Sequence, residues 1–299
     1  MESIKKIDIH AHATAYPALI PPNPGTRQPF ISAEQLIEIY DRLNIEKGVL
    51  LPLIAPEALW SISTSEACKT IVDSYPDRFL WFCNVDPRMG NNTAKADLTY
   101  LLEHYKRLGA LGMGELTAQL YTDDPQMDHL YSCLEEADMP LTIHIAAKFG
   151  GSYGIVDELG LPRLEKMLAK HPKLKILGHS QYFWSEISAD NTEETRGKYP
   201  KGKVTEGRIT ELMRNYENLY CDLSAGSGAN AMMRDPEHAV RFFEEFSDRI
   251  LYGCDICAAT NTHMYPFDDF LTSLRESGAL REETYRKIVR ENAIKLLHL

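Results

Sequence analysis

The sequence predicts a (β/α)8 barrel, a closed ring of eight parallel strands surrounded by helices, and three observations support this prediction. Eight short apolar segments are spread along the 299 residues, most of them about 30 residues apart, which is the length of a βαβ unit. Segments with the helical period lie between them. The apolar segments show little alternation of apolar and polar residues, as expected for strands buried in a parallel sheet.

The predicted strands are rich in Val, Ile, Leu and Phe. In chain order they are Lys6–His12, Lys47–Ile54, Phe79–Val85, Ala110–Leu116, Leu141–Ala146, Leu174–His179, Leu219–Leu223 and Ile250–Cys254.

The predicted helices are Ala33–Leu43, Ser61–Ser74, Thr93–Leu108, Gln126–Ala137, Pro162–Lys170, Glu206–Asn215, Pro236–Phe246 and Glu282–Leu297. Three of them carry start signals. Ser32 is an N-cap residue before the first helix, and Asp124-Pro125 and Asp235-Pro236 each combine an N-cap with proline in the first turn.

The main alternative is a doubly wound open sheet, whose first βα turn often carries a G-x-G-x-x-G motif. Here the first turn is His10-Ala11-His12-Ala13-Thr14, without glycine, which favours the barrel. Two connections exceed the regular period, at about 13–32 and 180–205. Both follow strands, on the side where barrel enzymes build their sites from loops. We therefore expect residues 1–299 to form one barrel domain with these two loop insertions.

Composition limits the class of protein. The chain is 44% hydrophobic and 25% charged, which is typical of a soluble globular protein and argues against disorder. No apolar segment approaches the ~18–20 residues of a membrane span. The formal net charge of −11 does not support nucleic-acid binding, and the six cysteines lack zinc-finger spacing. We expect a cytoplasmic protein with a small-molecule substrate and reduced thiols, and homo-oligomerisation remains open.

Histidines and acids follow the predicted strands at their carboxyl ends. His10 and His12 end the first strand, and side chains two residues apart on a strand point the same way, so one metal ion can bind both. The fourth, fifth, sixth and eighth strands end in Glu115, His144, His179 and Asp255.

A single histidine at a strand end is more often a hydrogen-bonded structural residue than a ligand. Six titratable groups at one mouth of a barrel need a common explanation, because such groups are costly to bury without partners. Imidazole and carboxylate suit zinc, manganese, iron or nickel. The sequence therefore predicts a divalent metal centre of one or two ions, with zinc expected, bound by His10, His12, Glu115, His144, His179 and Asp255.

The ordered set of these residues resembles the amidohydrolase superfamily, in its amidohydrolase-related branch. This branch includes aminocarboxymuconate-semialdehyde decarboxylase and related metal-dependent hydrolases. The resemblance covers nearly the whole chain, from Asp8–His12 through Gly253–Asp255 to Asn292-Ala293 in the last helix. It implies a (β/α)8 barrel, in agreement with the strand count.

The resemblance also implies roles. In one-metal relatives, residues matching His10, His12, His144 and Asp255 hold the ion, and the residue matching His179 is an acid/base or polarising group. In two-metal relatives a carboxylate or carboxylated lysine from the fourth strand bridges the ions. Glu115 stands at that position and resembles the Gly-Glu of TatD-type hydrolases. The alternative is that Glu115 only hydrogen-bonds substrate or water.

The leading functional hypothesis is hydrolysis of a small ester, lactone or amide by metal-activated water. Asp255 is then the catalytic proton acceptor, and His179 polarises the carbonyl. The alternative is a metal-dependent lyase, a decarboxylase or hydratase of an unsaturated carboxylic acid. A third hypothesis is a non-catalytic barrel with a structural metal.

Substrate contacts are expected from the loops. Arg88 follows the third strand and is placed to pair with a carboxylate or phosphate, and Lys148 lies four residues after His144. Trp184, in an aromatic segment after the sixth strand, is expected to form a wall or lid over the metal. The roles of Cys257 and His263 remain open.

Overall fold

The computed structural model of the chain describes residues 4–57 and 63–299. Within these residues the strands are β1 (Lys6–Ala11), β2 (Ile45–Leu50), β3 (Phe79–Trp81), β4 (Met113–Leu116), β5 (Leu141–Ala146), β6 (Ile155–Val156), β7 (Ile176–His179), β8 (Leu219–Asp222) and β9 (Ile250–Leu251).

Parallel pairing joins the strands into a ring. One sheet has the order β1-β2-β3 and the other the order β4-β5-β7-β8-β9, while β6 pairs with the end of β5. A parallel bridge between Cys83 and Met113 connects the two sheets after β3. On the other side, the Ile9 N–H donates to the Tyr252 carbonyl at 3.0 Å and connects β1 to the end of β9. The eight-stranded ring confirms the predicted (β/α)8 barrel.

The helices form the outer layer. They are α1 (Ala33–Leu43), α2 (Ser65–Ser74), α3 (Met89–Asn92), α4 (Leu98–Arg107), α5 (Pro125–Glu136), α6 (Pro162–Lys170), α7 (Gln181–Trp184), α8 (Arg208–Asn215), α9 (Ala225–Met233), α10 (Pro236–Glu245), α11 (Met264–Glu276), α12 (Glu282–Arg286) and α13 (Asn292–Leu297). A 3-10 turn, Ser185–Ile187, follows α7, and a π-helical turn, Lys287–Glu291, joins α12 to α13. In the described part of the chain, every helix is too short or too polar to cross a bilayer.

The three predicted helix starts are confirmed by their caps. The Gln35 N–H donates to the Ser32 hydroxyl, and the Gln35 side chain accepts from the Ser32 N–H, which completes a capping box. Asp124 and Asp235 each accept a backbone N–H at the start of α5 and α10. These contacts satisfy donors that a helix leaves unpaired in its first turn.

Four helices were not predicted, namely the four-residue helices α3 and α7 and the longer helices α9 and α11. The longer helix α9 begins at Ala225, in a segment whose glycines and serines are typical of a turn, and a Cβ at Gly228 would lie 2.3 Å from the Leu223 carbonyl oxygen. This close approach explains the glycine within a helix. The other, α11, buries residues at helical spacing, namely Met264, Phe267, Leu271 and Leu274. The predicted helix Ser61–Ser74 begins at Ser65, and Ser61 lies outside the described residues.

A buried carboxyl aligns the strand ends that carry the site. Asp8 Oδ1 accepts the N–H groups of His10 at 3.0 Å and Cys254 at 2.9 Å, and Oδ2 accepts the Tyr40 hydroxyl at 2.8 Å. Burial raises the pKa of Asp8 to about 7. The tyrosine fits only because residue 48 is glycine, since a Cβ there would lie 2.0 Å from the Tyr40 hydroxyl oxygen. The network holds the ends of β1 and β9 side by side.

Candidate metal centre

The six side chains predicted to bind metal converge at the carboxyl ends of the strands. They form three overlapping triads whose ligand atoms lie within 4.8 Å of one another. These are His10/His12/Glu115, His10/His179/Asp255 and Glu115/His144/His179. The structure thus brings together every residue of the predicted set, and their ligation of a metal remains a prediction.

The first strand contributes two imidazoles with their Nε2 atoms 3.1 Å apart. The pairing of β1 with β2 shifts register between Asp8 and Ala11, at the position of this pair. The Nδ1–H of His10 donates to Asp222 Oδ2 at 2.6 Å, and the Nδ1–H of His12 donates to the Leu51 carbonyl at 2.9 Å. In a neutral imidazole a proton on Nδ1 leaves a lone pair on Nε2. Both Nε2 atoms are therefore directed at one point as ligand atoms.

Glu115 lies between the imidazoles. Its Oε2 is 3.6 Å from His10 Nε2 and 3.4 Å from His12 Nε2. Its Oε1 contacts His144 Nδ1 and lies 3.8 Å from His179 Nε2. One carboxylate thus presents one oxygen to each pair of histidines.

Asp255 approaches the same atoms from the eighth strand of the ring. Its Oδ1 lies 3.3 Å from His12 Nε2 and 3.7 Å from His10 Nε2, and its Oδ2 lies 3.9 Å from His179 Nε2. Its own N–H donates to the His10 carbonyl at 2.8 Å, which fixes the residue against β1.

His179 is the imidazole from the sixth strand of the ring. Its Nδ1 hydrogen-bonds the Ser224 hydroxyl at 2.9 Å and lies 3.5 Å from Asp222 Oδ2, so Nε2 faces the centre. Burial and the neighbouring His10 lower the pKa of His179 to about 4. The imidazole is therefore neutral at pH 7, as a metal ligand must be.

The donor set fits a divalent cation. Burial disfavours charge at these residues, yet His144 and the other imidazoles hold the pKa of Glu115 well below its usual range. Burial likewise opposes protonation of His10, but the Asp222 carboxylate raises its pKa well above the usual value. The carboxylates of Glu115, Asp222 and Asp255 thus draw positive charge to this point, and a divalent ion would supply it through nitrogen and oxygen ligands.

Sequence reasoning missed Asp222 and Ser224, which orient the imidazoles of His10 and His179. A signal for Asp222 was present, because a carboxylate inside the apolar predicted strand Leu219–Leu223 needs a buried partner. The Leu51 carbonyl that orients His12 has no side-chain signal.

We expect Asp222→Asn to lower metal affinity by about 10- to 100-fold, the usual cost of losing a partner that orients a metal-binding histidine. The amide keeps the size of the side chain but removes the charge that stabilises His10. Affinity is measured by competition with a chromophoric chelator. Asp157→Asn is the matched control, because Asp157 is equally buried but accepts backbone N–H groups, of Glu158 and Leu164, outside the ligand triads. Equal affinities in the two variants would contradict this role for Asp222.

Two cavities adjoin the centre. The large cavity, of about 630 Å³, is lined by His144, His179, Gln119 and Tyr199 among others. The small cavity, of about 290 Å³, is lined by residues that include His12, Glu115, Phe30 and Cys257. The two open onto different imidazoles of the same cluster.

Arg88 and Lys148, the two basic residues predicted to contact substrate, lie in different environments. Arg88 binds Asp86 and Glu57 through its guanidinium and lines neither cavity. Lys148 is exposed beside the glycines that line the large cavity. Substrate contact by these two residues remains a prediction.

Trp184 requires a correction. It is buried in the core, where it packs against Phe183 and Phe242, and its indole N–H donates to the Asp222 carbonyl at 2.9 Å. It is absent from both cavity walls, because the short helix α7 turns this side chain inward rather than over the mouth. It supports the strand end that carries Asp222.

The structure shows the contacts of Cys257 and His263, whose roles the sequence did not assign. The Cys257 thiol lies 3.7 Å from Asp255 Oδ1 in the wall of the small cavity. His263 Nε2 hydrogen-bonds the Cys254 carbonyl at 2.6 Å and holds the connection to α11.

Comparisons with known proteins agree with the fold. A family model described as Amidohydrolase matches residues 7–299. Comparison with curated proteins gives no match.

Three solved structures illustrate the similarity. The 2,6-dihydroxybenzoate decarboxylase from Rhizobium is 17% identical with a TM-score of 0.62, and 99% of each chain is covered. The 5-carboxyvanillate decarboxylase from Novosphingobium aromaticivorans, complexed with manganese, is 18% identical with a TM-score of 0.61, and 98% of this chain and 96% of that chain are covered. A probable 2-pyrone-4,6-dicarboxylic acid hydrolase from Acinetobacter baumannii is 14% identical with a TM-score of 0.60, and 99% of this chain and 100% of that chain are covered.

Proposed function

Since the chain belongs to the amidohydrolase family, we propose that it is a metal-dependent hydrolase that cleaves a small ester, lactone or amide at the mouth of its barrel. The observation that carries the proposal is the position of Glu115. It is shared by the triad His10/His12/Glu115 and the triad Glu115/His144/His179, which supports a centre of two ions that Glu115 would help to hold. Paired ions clamp both the attacking and the leaving oxygen in many hydrolytic sites.

The residues that would hold the ions follow from this geometry. His10, His12 and Asp255 would hold one ion and His144 and His179 the other, with Glu115 shared, and His179 also forms a triad with His10 and Asp255. When bound, divalent ions supply Lewis-acid chemistry, which acidifies water and polarises a carbonyl oxygen. We propose zinc, which imidazole and carboxylate ligands suit. Manganese is the alternative, because one similar structure contains it.

Asp255 is the proposed proton carrier. Its carboxylate lines both cavities. Burial alone would favour the neutral acid, but the hydrogen bond to His12 and the charges of the nearby imidazoles outweigh it and hold the pKa of Asp255 well below the usual range, so the carboxylate is ionised. In the reaction the water oxygen bonds to the carbonyl carbon and the bond to the leaving oxygen or nitrogen breaks. Asp255 takes the proton of the water and returns it to the leaving group, so that an acid and an alcohol or amine form.

A decarboxylase is the second candidate, and two of the three similar structures reported above favour it. Likeness at this level of identity supports a shared fold, and the reaction has to be measured.

Isotope labelling distinguishes the two reactions. Metal-loaded protein is incubated in H₂¹⁸O with neutral esters, lactones and amides, and separately with carboxylated phenols and dienes. We expect one ¹⁸O atom in the acid product of the first panel and no carbon dioxide from the second. Release of carbon dioxide without turnover of the first panel would replace hydrolysis by the lyase function.

A further inference from the structure

We infer that the substrate is an uncharged molecule with two unequal arms, which lie in separate cavities on either side of Tyr153. This inference rests on the proposed hydrolase function, because the bond between the two arms is the one that is cleaved. It adds the substrate class and a residue that determines specificity.

The two cavities meet only at the catalytic centre. Of the described residues that line them, Tyr153 and Asp255 alone belong to both. The large cavity exposes His144 and His179, whereas the small cavity exposes His12 and Glu115. A molecule whose scissile bond lies at Asp255 would therefore extend one group into each cavity.

Tyr153 is held in position as the partition. Its ring packs on the His144 imidazole with centroids 4.5 Å apart. The next residue, Gly154, has a φ of +121°, donates its N–H to the Thr117 carbonyl at 2.9 Å, and approaches β5 so closely that a Cβ would lie 2.7 Å from the His144 carbonyl oxygen. The chain then enters β6, which pairs with β5. The backbone on this side fixes the ring beside the centre.

The cavity walls offer a charged arm no ionic partner. Of their three carboxylates, Glu115 and Asp255 would be committed to the ions, and Glu57 is paired with Arg88. Among the described residues the walls contain neither lysine nor arginine. An arm that carried a carboxylate or phosphate away from the ions would therefore be desolvated without a partner, and such unpaired charge discriminates strongly between ligands.

The two cavities differ in size, at about 630 Å³ and 290 Å³. The large cavity offers neutral hydrogen-bonding groups, from Gln119, Ser152, Gln181, Tyr182, Tyr199 and Ser227. Gln181 and Tyr199 hydrogen-bond each other at 2.7 Å. The small cavity combines apolar side chains, of Pro21, Pro29, Phe30 and Leu53, with neutral polar ones, of Asn23, Thr26, Gln28 and Asn261. We therefore assign the larger uncharged arm to the large cavity and the shorter uncharged arm to the small one.

Two matched variants test the arrangement. Thr26 lines the small cavity and Ser152 the large one, and both are exposed, so tryptophan at either position is compatible with folding. The substrates are two series of neutral esters. One series lengthens the acyl group with a methyl alcohol, and the other lengthens the alcohol with an acetyl group. We expect Thr26→Trp and Ser152→Trp to shift the ratio of kcat/KM between the series by about tenfold or more, in opposite directions.

Tyr153 variants test the partition itself. Tyr153→Ala joins the cavities, so the difference between the two series should fall by about tenfold, and Tyr153→Phe should restore it because the ring is kept. Shifts of the two tryptophan variants in the same direction, or no shift, would overturn the inference. Equal turnover of esters that carry a carboxylate on either arm would overturn the uncharged class.

A binding measurement separates this inference from the proposed function. Ketone analogues, in which a methylene replaces the ester oxygen, are titrated calorimetrically into wild type and the same variants. The Kd values should follow the pattern predicted for kcat/KM. If the Kd values of the ketones follow the predicted pattern but no ester, lactone or amide is cleaved, only the hydrolase function fails. If esters are cleaved but neither kcat/KM nor Kd differs between the two series as predicted, only the two-cavity inference fails.

Discussion

Replacing His10 and His12 together by alanine should leave the purified protein without bound divalent metal and lower kcat/KM by at least about 10³-fold. The two Nε2 atoms lie 3.1 Å apart and are directed at one point by Asp222 and Leu51, so their loss removes the part of the centre that these contacts prearrange. Metal-ion catalysis contributes several kcal/mol of transition-state stabilisation, and each 1.36 kcal/mol corresponds to about a factor of ten in rate. Metal content is measured by elemental analysis after dialysis.

The control is the double variant His104→Ala/His298→Ala, which removes two exposed histidines that belong to none of the ligand triads. It should retain the metal content and kcat/KM of wild type. A His10/His12 variant that retains one or two equivalents of metal would exclude these residues as ligands.

Glu115→Gln should reduce the metal content from two equivalents to one and lower kcat by about 10²- to 10³-fold. Glutamine has almost the same shape, but it presents an uncharged amide whose NH₂ group cannot bind a metal. Glu115 is the only residue common to His10/His12/Glu115 and Glu115/His144/His179, so its charge would be needed to hold two cations close together. The loss of one ion removes several kcal/mol of transition-state stabilisation.

Glu186→Gln is the matched control, because Glu186 is equally buried and accepts the Gly160 N–H at 3.1 Å, outside the centre. Its metal content should equal that of wild type. Wild-type protein with one equivalent, or a Glu115 variant that keeps two, would assign Glu115 to hydrogen bonding of substrate or water instead.

Much of the site could be predicted from the sequence, because its residues follow from the direction of side chains along a strand and from the arrangement of parallel strands in a barrel. Side chains alternate along a strand, and the carboxyl ends of barrel strands share one mouth, so polar residues at those ends must meet. Glu115 and Asp255 are 140 residues apart in the chain, yet both lie within 4 Å of His12 Nε2. The strand count that places them is confirmed by the closed ring.

Other features depend on where a side chain points once the helices have packed. The aromatic segment after His179 was predicted to form a wall or lid over the metal, but packing buries Trp184 against the strand that carries Asp222. The helix α9 was not predicted because its segment is rich in glycine, and the reason for Gly228, its close approach to the Leu223 carbonyl, is visible only in the folded chain. Neither the direction of the Trp184 side chain nor this approach leaves a periodic signal in the sequence.

The sequence by itself therefore determined the barrel, the identity of six converging residues and the class of ligand they suit, because each follows from residue type and position along a strand. Only the tertiary structure decided that Glu115 is shared between two histidine pairs, that Asp222 orients His10, and that Tyr153 separates two cavities. These relations are distances of a few ångströms between side chains from different strands and loops. They are fixed by packing around the closed ring, and residue order does not contain them.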